Sequence, residues 1–175
     1  MSETRYLHLN LVANDINLHQ GAYAFEQAHG IPERGTFERL LEYGRFGDEG
    51  LFTALFVGDI PGMQGSPAFD GGPAEPITAL TAISQHTKHV GLIATASTTF
   101  YDPYNLARLL ASLDQASDGR AGYNAVTSVI DDFALNYNLS QHLDREARYQ
   151  RADEFLDVLR ALWDSRELRR GPDGL

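Results

Sequence analysis

The sequence predicts an α/β fold built on a parallel sheet. Short apolar runs of strand length alternate four times with stretches whose apolar residues recur at helical spacing. Such alternation is typical of β/α units joined by right-handed crossovers. Polar residues collect after the second, third and fourth runs, at the strand ends where α/β folds bind their ligands. Two architectures fit this pattern, an open doubly wound sheet and part of an eightfold barrel.

The first two strands are predicted at residues 6–13 and 51–57, which are both short apolar runs. Between them lies a helical stripe that is predicted to stop at Gly44 or Gly47. A turn-rich stretch, residues 60–74, follows the second strand and contains four glycines and three prolines. Because most connections in compact domains are shorter, this loop is a candidate functional feature.

The later elements carry clearer boundary signals. Pro76 stands at the first position of a helix, which proline favours. Residues 89–96 and 121–127 are predicted as the third and fourth strands. The helix between them is predicted to begin after Asp102, where a capping carboxylate precedes a proline. The last helix is expected over residues 146–164, where apolar residues trace a single face.

Composition excludes several classes of function. The formal net charge of -10 argues against a nucleic-acid partner and against an anionic membrane surface. The absence of cysteine excludes disulfides and thiolate catalysis and fits a reducing cytoplasm. The first residues lack a signal peptide, and no apolar run approaches a membrane span. His86 and His89 are three apart, but no third ligand accompanies them, so no metal site is expected.

Three polar side chains near predicted strand ends are candidate ligand contacts. Asp59 directly follows the second strand, where it can accept a hydrogen bond from a bound heterocycle or simply cap a turn. Thr95 begins the hydroxyl-rich run 95–99, which can line a flat cofactor or satisfy loop backbone groups. Asn124 lies inside the fourth strand, and its amide needs partners from a ligand or from neighbouring backbone.

A candidate phosphate site lies where the last helix starts. Arg145, Arg148 and Tyr149 cluster there. A helix N-terminus with a guanidinium nearby is suited to phosphate, and a phenol one turn along adds a donor. The alternative is a charged helix face that contacts only solvent.

Eight short motifs follow one another along the chain. They are Glu75-Pro76-Ile77-Thr78, Thr87-x-x-Val90-Gly91-Leu92, Thr95-Ala96-Ser97-Thr98-Thr99, Pro103-Tyr104-x-x-Ala107-Arg108, Ser112-Leu113-Asp114-x-x-Ser117-x-Gly119-Arg120, Asn124-x-Val126-Thr127-Ser128, Arg148-Tyr149-x-x-Ala152-Asp153-Glu154-Phe155 and Leu162-Trp163-Asp164-Ser165. In this order the motifs resemble the family of nitrilotriacetate and dibenzothiophene-sulfone monooxygenases, which belongs to the bacterial-luciferase superfamily. Members are oxygenase components of two-component flavin systems.

The resemblance implies a (β/α)₈ TIM-type barrel of which this chain holds the first four β/α units. Residues 1–165 would form the N-terminal half of the barrel, and residues 166–175 an irregular tail. The implied activity is oxygenation of a small organic nitrogen or sulfur compound, with O₂ and reduced FMN from a separate NAD(P)H:flavin reductase. A cytoplasmic location is expected.

The resemblance also implies contacts for the cofactor. Asp59, Thr95 and Asn124 would surround the isoalloxazine, and Tyr149 would reach the flavin phosphate. The family commonly has histidine four residues before that tyrosine; Arg145 stands there in this chain and can also hold phosphate. No catalytic residue is assigned.

Two other readings remain open. One is a non-catalytic half-barrel that a second copy or a complementing half-barrel closes, because four strands alone expose two sheet edges. The other is a related deazaflavin-dependent enzyme with the same barrel. The hydroxyl-rich end of the third strand and the Arg148-Tyr149 pair favour FMN.

Overall fold

The computed structural model describes residues 7–13, 25, 28–30, 37–59, 61 and 74–168 of the 175-residue chain. The strands are β1 (Asn10–Val12), β2 (Ala54–Val57), β3 (Gly91–Ser97) and β4 (Ala121–Val126). The helices with described bounds are α1 (Phe37–Glu49), α2 (Pro76–Ser84), α3 (Pro103–Ala116), α4 (Phe133–Asn136) and α5 (Arg145–Leu168). Most of the candidate loop 60–74 lies outside the described residues.

The four strands form one parallel sheet in the order β1-β2-β3-β4. This confirms the predicted α/β class with a parallel sheet. A doubly wound sheet reverses its strand order at a switch point, whereas a barrel adds each strand beside the previous one. The described sheet has no reversal, so its order is that of consecutive barrel units.

The two faces of the sheet have different surroundings. One face packs against the helices and supplies fully buried side chains to the core: Leu55, Val57, Leu92, Ala94 and Ala96. On the other face the strand register places Val12, Phe56, Ile93 and Gly122 in one row. That row is only partly covered, and Val12 is 51% exposed. In a closed barrel this face would be the interior.

The two glycines predicted to stop the first helix lie inside it, so that prediction was wrong. Helix α1 continues to Glu49, and Gly44 and Gly47 are both buried. A Cβ atom at Gly44 would lie 2.5 Å from Cγ2 of Ile83, and one at Gly47 would lie 3.3 Å from Cγ2 of Val90. The glycines therefore allow close packing of α1 against the following unit.

We expect Gly44→Ala to destabilise the protein by about 1 kcal/mol, because overpacking outweighs the gain in helix propensity. Gly47→Ala is the matched control, since its added methyl would make a milder contact. Urea denaturation of both variants measures the difference. A Gly44→Ala variant more stable than the wild type, as propensity alone requires, would contradict this packing argument.

Other boundaries differ from the predictions for local reasons. Strand β2 begins at Ala54 rather than Leu51, because Leu51 has a left-handed backbone with φ of 55°. Helix α4 was not predicted; it is a single turn. Helix α5 extends to Leu168, so the first residues of the predicted irregular tail are helical. The predicted cap at Asp102 is confirmed, and so is Pro76 at the start of α2. The side chain of Glu75, which was not predicted as a cap, also caps α2.

Asp48, at the end of α1, holds the start of β3. Its carboxylate accepts hydrogen bonds from the backbone amides of Lys88, His89 and Val90 at 2.7–3.0 Å. Burial alone would raise the pKa of Asp48, but these amides outweigh it and hold that pKa below its usual range. The contact stabilises the N-terminal end of the sheet, opposite the strand ends that would carry a site.

Candidate functional site

A row of three positions crosses the C-terminal ends of β2, β3 and β4. Thr95 pairs with Asn124 in the sheet register, and Gly58 follows Val57, the partner of Ala94. The Asn124 side-chain amide donates to the Thr95 hydroxyl at 3.1 Å. Among the described residues, no atom lies within 4 Å of a Cβ built at Gly58, so these residues leave the space beside it open. The row therefore combines two polar side chains with room for a flat group.

The Thr95–Asn124 pair keeps unused hydrogen-bonding capacity. Thr95 accepts through its oxygen, so its own hydroxyl hydrogen can be donated. Asn124 retains its carbonyl oxygen and a second amide hydrogen, for which the described part of the chain provides no partner. Thr95 is 3% exposed, and buried polar groups normally find partners. The pair can thus present both donors and acceptors to a heterocycle.

Within the hydroxyl-rich run 95–99, some side chains satisfy loop backbone groups and one is available to line a flat cofactor. The Thr98 hydroxyl donates to the carbonyl of Val126 at 3.2 Å, and the Thr99 hydroxyl donates to that of Thr127 at 2.7 Å. These two side chains satisfy loop backbone and join the ends of β3 and β4. Thr95 is the member that faces the row with Asn124.

Asp59 is a half-buried carboxyl group at the end of β2. It makes no hydrogen bond within the described residues. Burial, and then the negative charge of Glu75, raise the pKa of Asp59 to about 6. Burial raises the pKa values of Tyr101 and Tyr137 as well, and the nearby charges of Glu75 and Asp59 add to this. Two carboxyls and two phenols thus lie near one another at this edge.

We expect the stability of the wild type relative to Asp59→Asn to fall as the pH rises. The raised pKa keeps Asp59 protonated in the folded chain after the unfolded chain, with its ordinary value of 3.8, has ionised. The contribution of the Asp59 carboxyl to the free energy of unfolding is therefore complete below pH 3.8 and is lost as the pH rises through about 6. Urea denaturation of both proteins across this range measures the difference. A pH-independent difference would contradict the raised pKa.

The start of α5 brings the predicted phosphate-site residues together. The Arg145 guanidinium lies over the Tyr149 ring, 5.7 Å from its centroid. Asp144 accepts from the amide of Ala147 at 2.8 Å, so a phosphate here would rely on side chains more than on that amide. The Nη1 of Arg148 donates to the Leu143 carbonyl at 3.2 Å.

The start of α5 lies at the same edge of the sheet as the row. Arg151 donates from Nε to the carbonyl of Thr98 and from Nη2 to that of Tyr101, at 3.0 and 3.3 Å. The Tyr137 ring stacks on Phe100, with centroids 4.4 Å apart. No described hydrogen bond or ring contact joins Thr95 or Asn124 directly to Arg145 or Tyr149. The structure therefore places the Thr95–Asn124 pair and the Arg145–Tyr149 pair at one edge of the sheet, and the turn after β3 connects them.

Four further positions at this edge were not proposed as site residues from the sequence: Gly58, Tyr101, Ser128 and Tyr137. Gly58 and Tyr101 directly adjoin predicted features, Asp59 and the hydroxyl run, so adjacency could have indicated them. Ser128 has a left-handed backbone with φ of 54°, and its hydroxyl donates to that of Ser97 at 2.9 Å. Neither the residue type serine nor the spacing of apolar residues indicates a left-handed backbone.

The described residues also test the metal and membrane expectations in part. His86 and His89 are both exposed. Among the residues described, no three histidine or carboxylate side chains are arranged to hold a metal ion. None of the described helices is long and apolar enough to cross a membrane.

Residues 14–171 match the sequence profile of the luciferase-like monooxygenases. The chain is 53% identical over 93 residues to N-acetyl-S-(2-succino)cysteine monooxygenase of Bacillus subtilis. These residues make up 53% of the chain and 21% of that relative. It is 43% identical over 134 residues to dibenzothiophene-sulfone monooxygenase of Rhodococcus erythropolis, 76% of the chain and 28% of the relative. Component A of nitrilotriacetate monooxygenase from Aminobacter aminovorans is 34% identical over 181 residues, with 95% of the chain and 40% of the relative covered.

Solved structures agree with these relatives. EDTA monooxygenase from Chelativorans sp. BNC1 superposes with a TM-score of 0.78 at 33% identity, over 91% of the chain and 38% of that structure. Long-chain alkane monooxygenase superposes with a TM-score of 0.77 at 26% identity, over 92% of the chain and 40% of that structure. The chain therefore spans between 21% and 40% of the length of these proteins.

Proposed function

The chain belongs to the luciferase-like monooxygenase family, and from this membership we propose that it forms the N-terminal half of a reduced-FMN-dependent oxygenase site. Its fold is the corresponding part of the family's TIM-type barrel, with the first four strands in barrel order. The observation that carries the proposal is the row of Gly58, Thr95 and Asn124 at the strand ends. Ligands of such folds bind at that end.

The residues at the row fit the ring of a flavin. An isoalloxazine presents donors and acceptors along one edge of a flat, largely apolar ring system. The Thr95–Asn124 pair offers both kinds of group, and the described residues leave room for a ring beside Gly58. Asp59 is a carboxyl without a hydrogen-bond partner among the described residues, and it would accept from a ring N–H.

Arg145 and Tyr149 would hold the phosphate of the same cofactor. Their side chains stack on one another at the exposed start of α5, and both can donate hydrogen bonds to phosphate oxygens. When bound, reduced FMN supplies the electrons with which O₂ is activated. The chain's own residues would orient the ring, hold the phosphate and help to exclude water from the reacting edge.

The partners follow from the same proposal. A separate NAD(P)H:flavin reductase would deliver reduced flavin. The name of the nitrilotriacetate relative, which calls it component A, is consistent with a system of more than one component. The substrate would be a small organic nitrogen or sulfur compound, the class named in most of the relatives compared above. A second copy or a complementing half-barrel would close the barrel. The proposal includes a cytoplasmic location, with which the absence of cysteine is in keeping.

Anaerobic titration of the 175-residue chain with reduced FMN, followed by admission of O₂, tests this proposal. We expect saturable binding and faster O₂ consumption than reduced FMN shows alone. The Arg108→Met variant is a suitable control, since Arg108 lies exposed on α3, away from the row. If reduced FMN does not bind saturably, the proposed function is wrong for this chain.

A second candidate is a non-catalytic half-barrel that binds a partner. The partly covered inner row favours it, because Val12 is 51% exposed and Phe56 and Ile93 are only half-buried. The molar mass in solution discriminates between the two candidates. A monomer that binds no flavin favours the non-catalytic half-barrel, whereas a flavin-binding assembly favours the oxygenase.

A further inference from the structure

The Arg151 guanidinium connects the two parts of the proposed flavin site. Its Nε donates to the carbonyl of Thr98 at 3.0 Å, and its Nη2 donates to the carbonyl of Tyr101 at 3.3 Å. Both carbonyls belong to the turn after β3, the strand that supplies the ring side of the site. Arg151 itself lies in the first two turns of α5, together with the phosphate-side residues Arg145 and Tyr149.

The start of α5 has few other attachments. Within the described residues, its remaining side-chain hydrogen bonds are local, such as Arg148 to the Leu143 carbonyl and Gln150 to Glu146. The buried stripe that packs α5 on the core begins only at Ala152. Among the described residues, the two bonds of Arg151 are therefore the side-chain hydrogen bonds that hold these turns against the sheet end.

Helical geometry separates Arg151 from the phosphate-side residues. Successive residues turn by about 100°, so Arg145 and Tyr149 share one flank of the buried stripe while Arg151 lies on the other. Two guanidinium nitrogens of Arg151 are already committed to backbone carbonyls. Its side chain thus acts on the position of the helix and leaves phosphate contact to Arg145 and Tyr149.

We propose that Arg151 is a positioning residue that fixes the phosphate-binding start of α5 relative to the ring-binding end of β3. This inference rests on the proposed function. Because Arg151 fixes the start of α5 relative to the end of β3, the chain can bind the ring and the phosphate at the same time. Binding of the ring then leaves the phosphate site already in position. Without the two hydrogen bonds, the ring would still bind, but the phosphate would add little affinity.

The ratio of two dissociation constants tests this inference. Reduced riboflavin has the same ring as reduced FMN but lacks the phosphate, so anaerobic titration with both flavins isolates the contribution of the phosphate. For the wild type we expect FMN to bind at least about tenfold more tightly, the effect of one charge-assisted hydrogen bond. Arg151→Met should bring the ratio below about threefold while riboflavin affinity changes by less than about twofold. Arg151→Lys, which can keep one donor, should give an intermediate ratio.

Arg160→Met is the matched control on the same helix, because Arg160 is exposed and its one ion pair among the described residues is with Asp157 at 3.7 Å. It should leave the ratio unchanged. Equal weakening of both flavins by Arg151→Met, an unchanged ratio, or a wild type without preference for FMN would each overturn the inference. If the wild type binds neither flavin, the proposed function is wrong instead.

Hydrogen exchange of the flavin-free protein gives a readout that does not depend on the cofactor. We expect Arg151→Met to speed exchange of the backbone amides in residues 148–152, since these turns lose their attachment to the sheet end. Arg160→Met should not change exchange there. Equal exchange in both variants and the wild type would overturn the role of Arg151 as a tether, whatever the flavins do.

Discussion

Asn124→Leu is expected to weaken the binding of reduced FMN by about tenfold to a hundredfold, the effect of leaving buried polar groups without partners. The substitution keeps the approximate size of the side chain but removes its carbonyl oxygen and both amide hydrogens. It also leaves the Thr95 oxygen without the donor that reaches it at 3.1 Å. Anaerobic titration monitored by flavin absorbance measures the change.

Thr95→Val provides the companion measurement, because it removes the hydroxyl with almost no change in volume. The two residues are hydrogen-bonded to each other, so the double variant should lose less affinity than the sum of the single losses. Thr99→Val is the control, since its hydroxyl is committed to the Thr127 carbonyl at 2.7 Å. If Thr99→Val weakens the binding of reduced FMN as much as Asn124→Leu does, the flavin ring does not lie over the row.

The second large effect is expected on stability. Arg120→Met should lower the free energy of unfolding by about 3 kcal/mol, because a half-buried guanidinium loses a whole set of hydrogen bonds. That guanidinium donates five, at 2.7–3.1 Å, to four backbone carbonyls and one hydroxyl: Ser84 O, Thr87 O, Thr87 Oγ1, Val90 O and Ser117 O. These acceptors join the end of α2, the start of β3 and the end of α3. Arg120 thus fastens the N-terminal end of the sheet.

Urea denaturation compares Arg120→Met with Arg108→Met, in which an exposed arginine loses one long contact with Asn105 at 3.5 Å. The control should change stability by less than about 0.5 kcal/mol. Arg120→Lys should fall between them, because an ammonium cannot reproduce the planar fork of donors. Similar losses for the Arg120 and Arg108 variants would show that the bonds at Arg120 contribute nothing beyond a surface contact.

The sequence was most informative where a signal is local. The existence of the strands, the start of α2 at Pro76 and the cap at Asp102 depend on short apolar runs or on a proline and the residue before it. Parallel strands bring their carboxyl ends to one edge, so Thr95 and Asn124 could be expected close together. Their direct pairing needed the register, which no local pattern reveals.

The predictions failed where the deciding contact is distant in sequence. Gly44 resembles a helix stop, but Ile83, about forty residues away, makes it a packing position. For the run 95–99 the sequence left two roles open, and carbonyls on the neighbouring strand end, which accept from the Thr98 and Thr99 hydroxyls, decide between them. The sequence analysis did not single out Arg151, and only the folded chain shows which carbonyls its guanidinium contacts.

The most direct test of the central claim is hydrogen exchange with and without reduced FMN under anaerobic conditions. If the flavin lies over the row with its phosphate at the start of α5, exchange should slow in residues 58–59, 95–99, 124–128 and 146–149. Residues 88–92 and 118–121, at the opposite end of the sheet, should exchange as before. Protection at that opposite end, or no protection while flavin binds saturably, would contradict a flavin site at the strand ends.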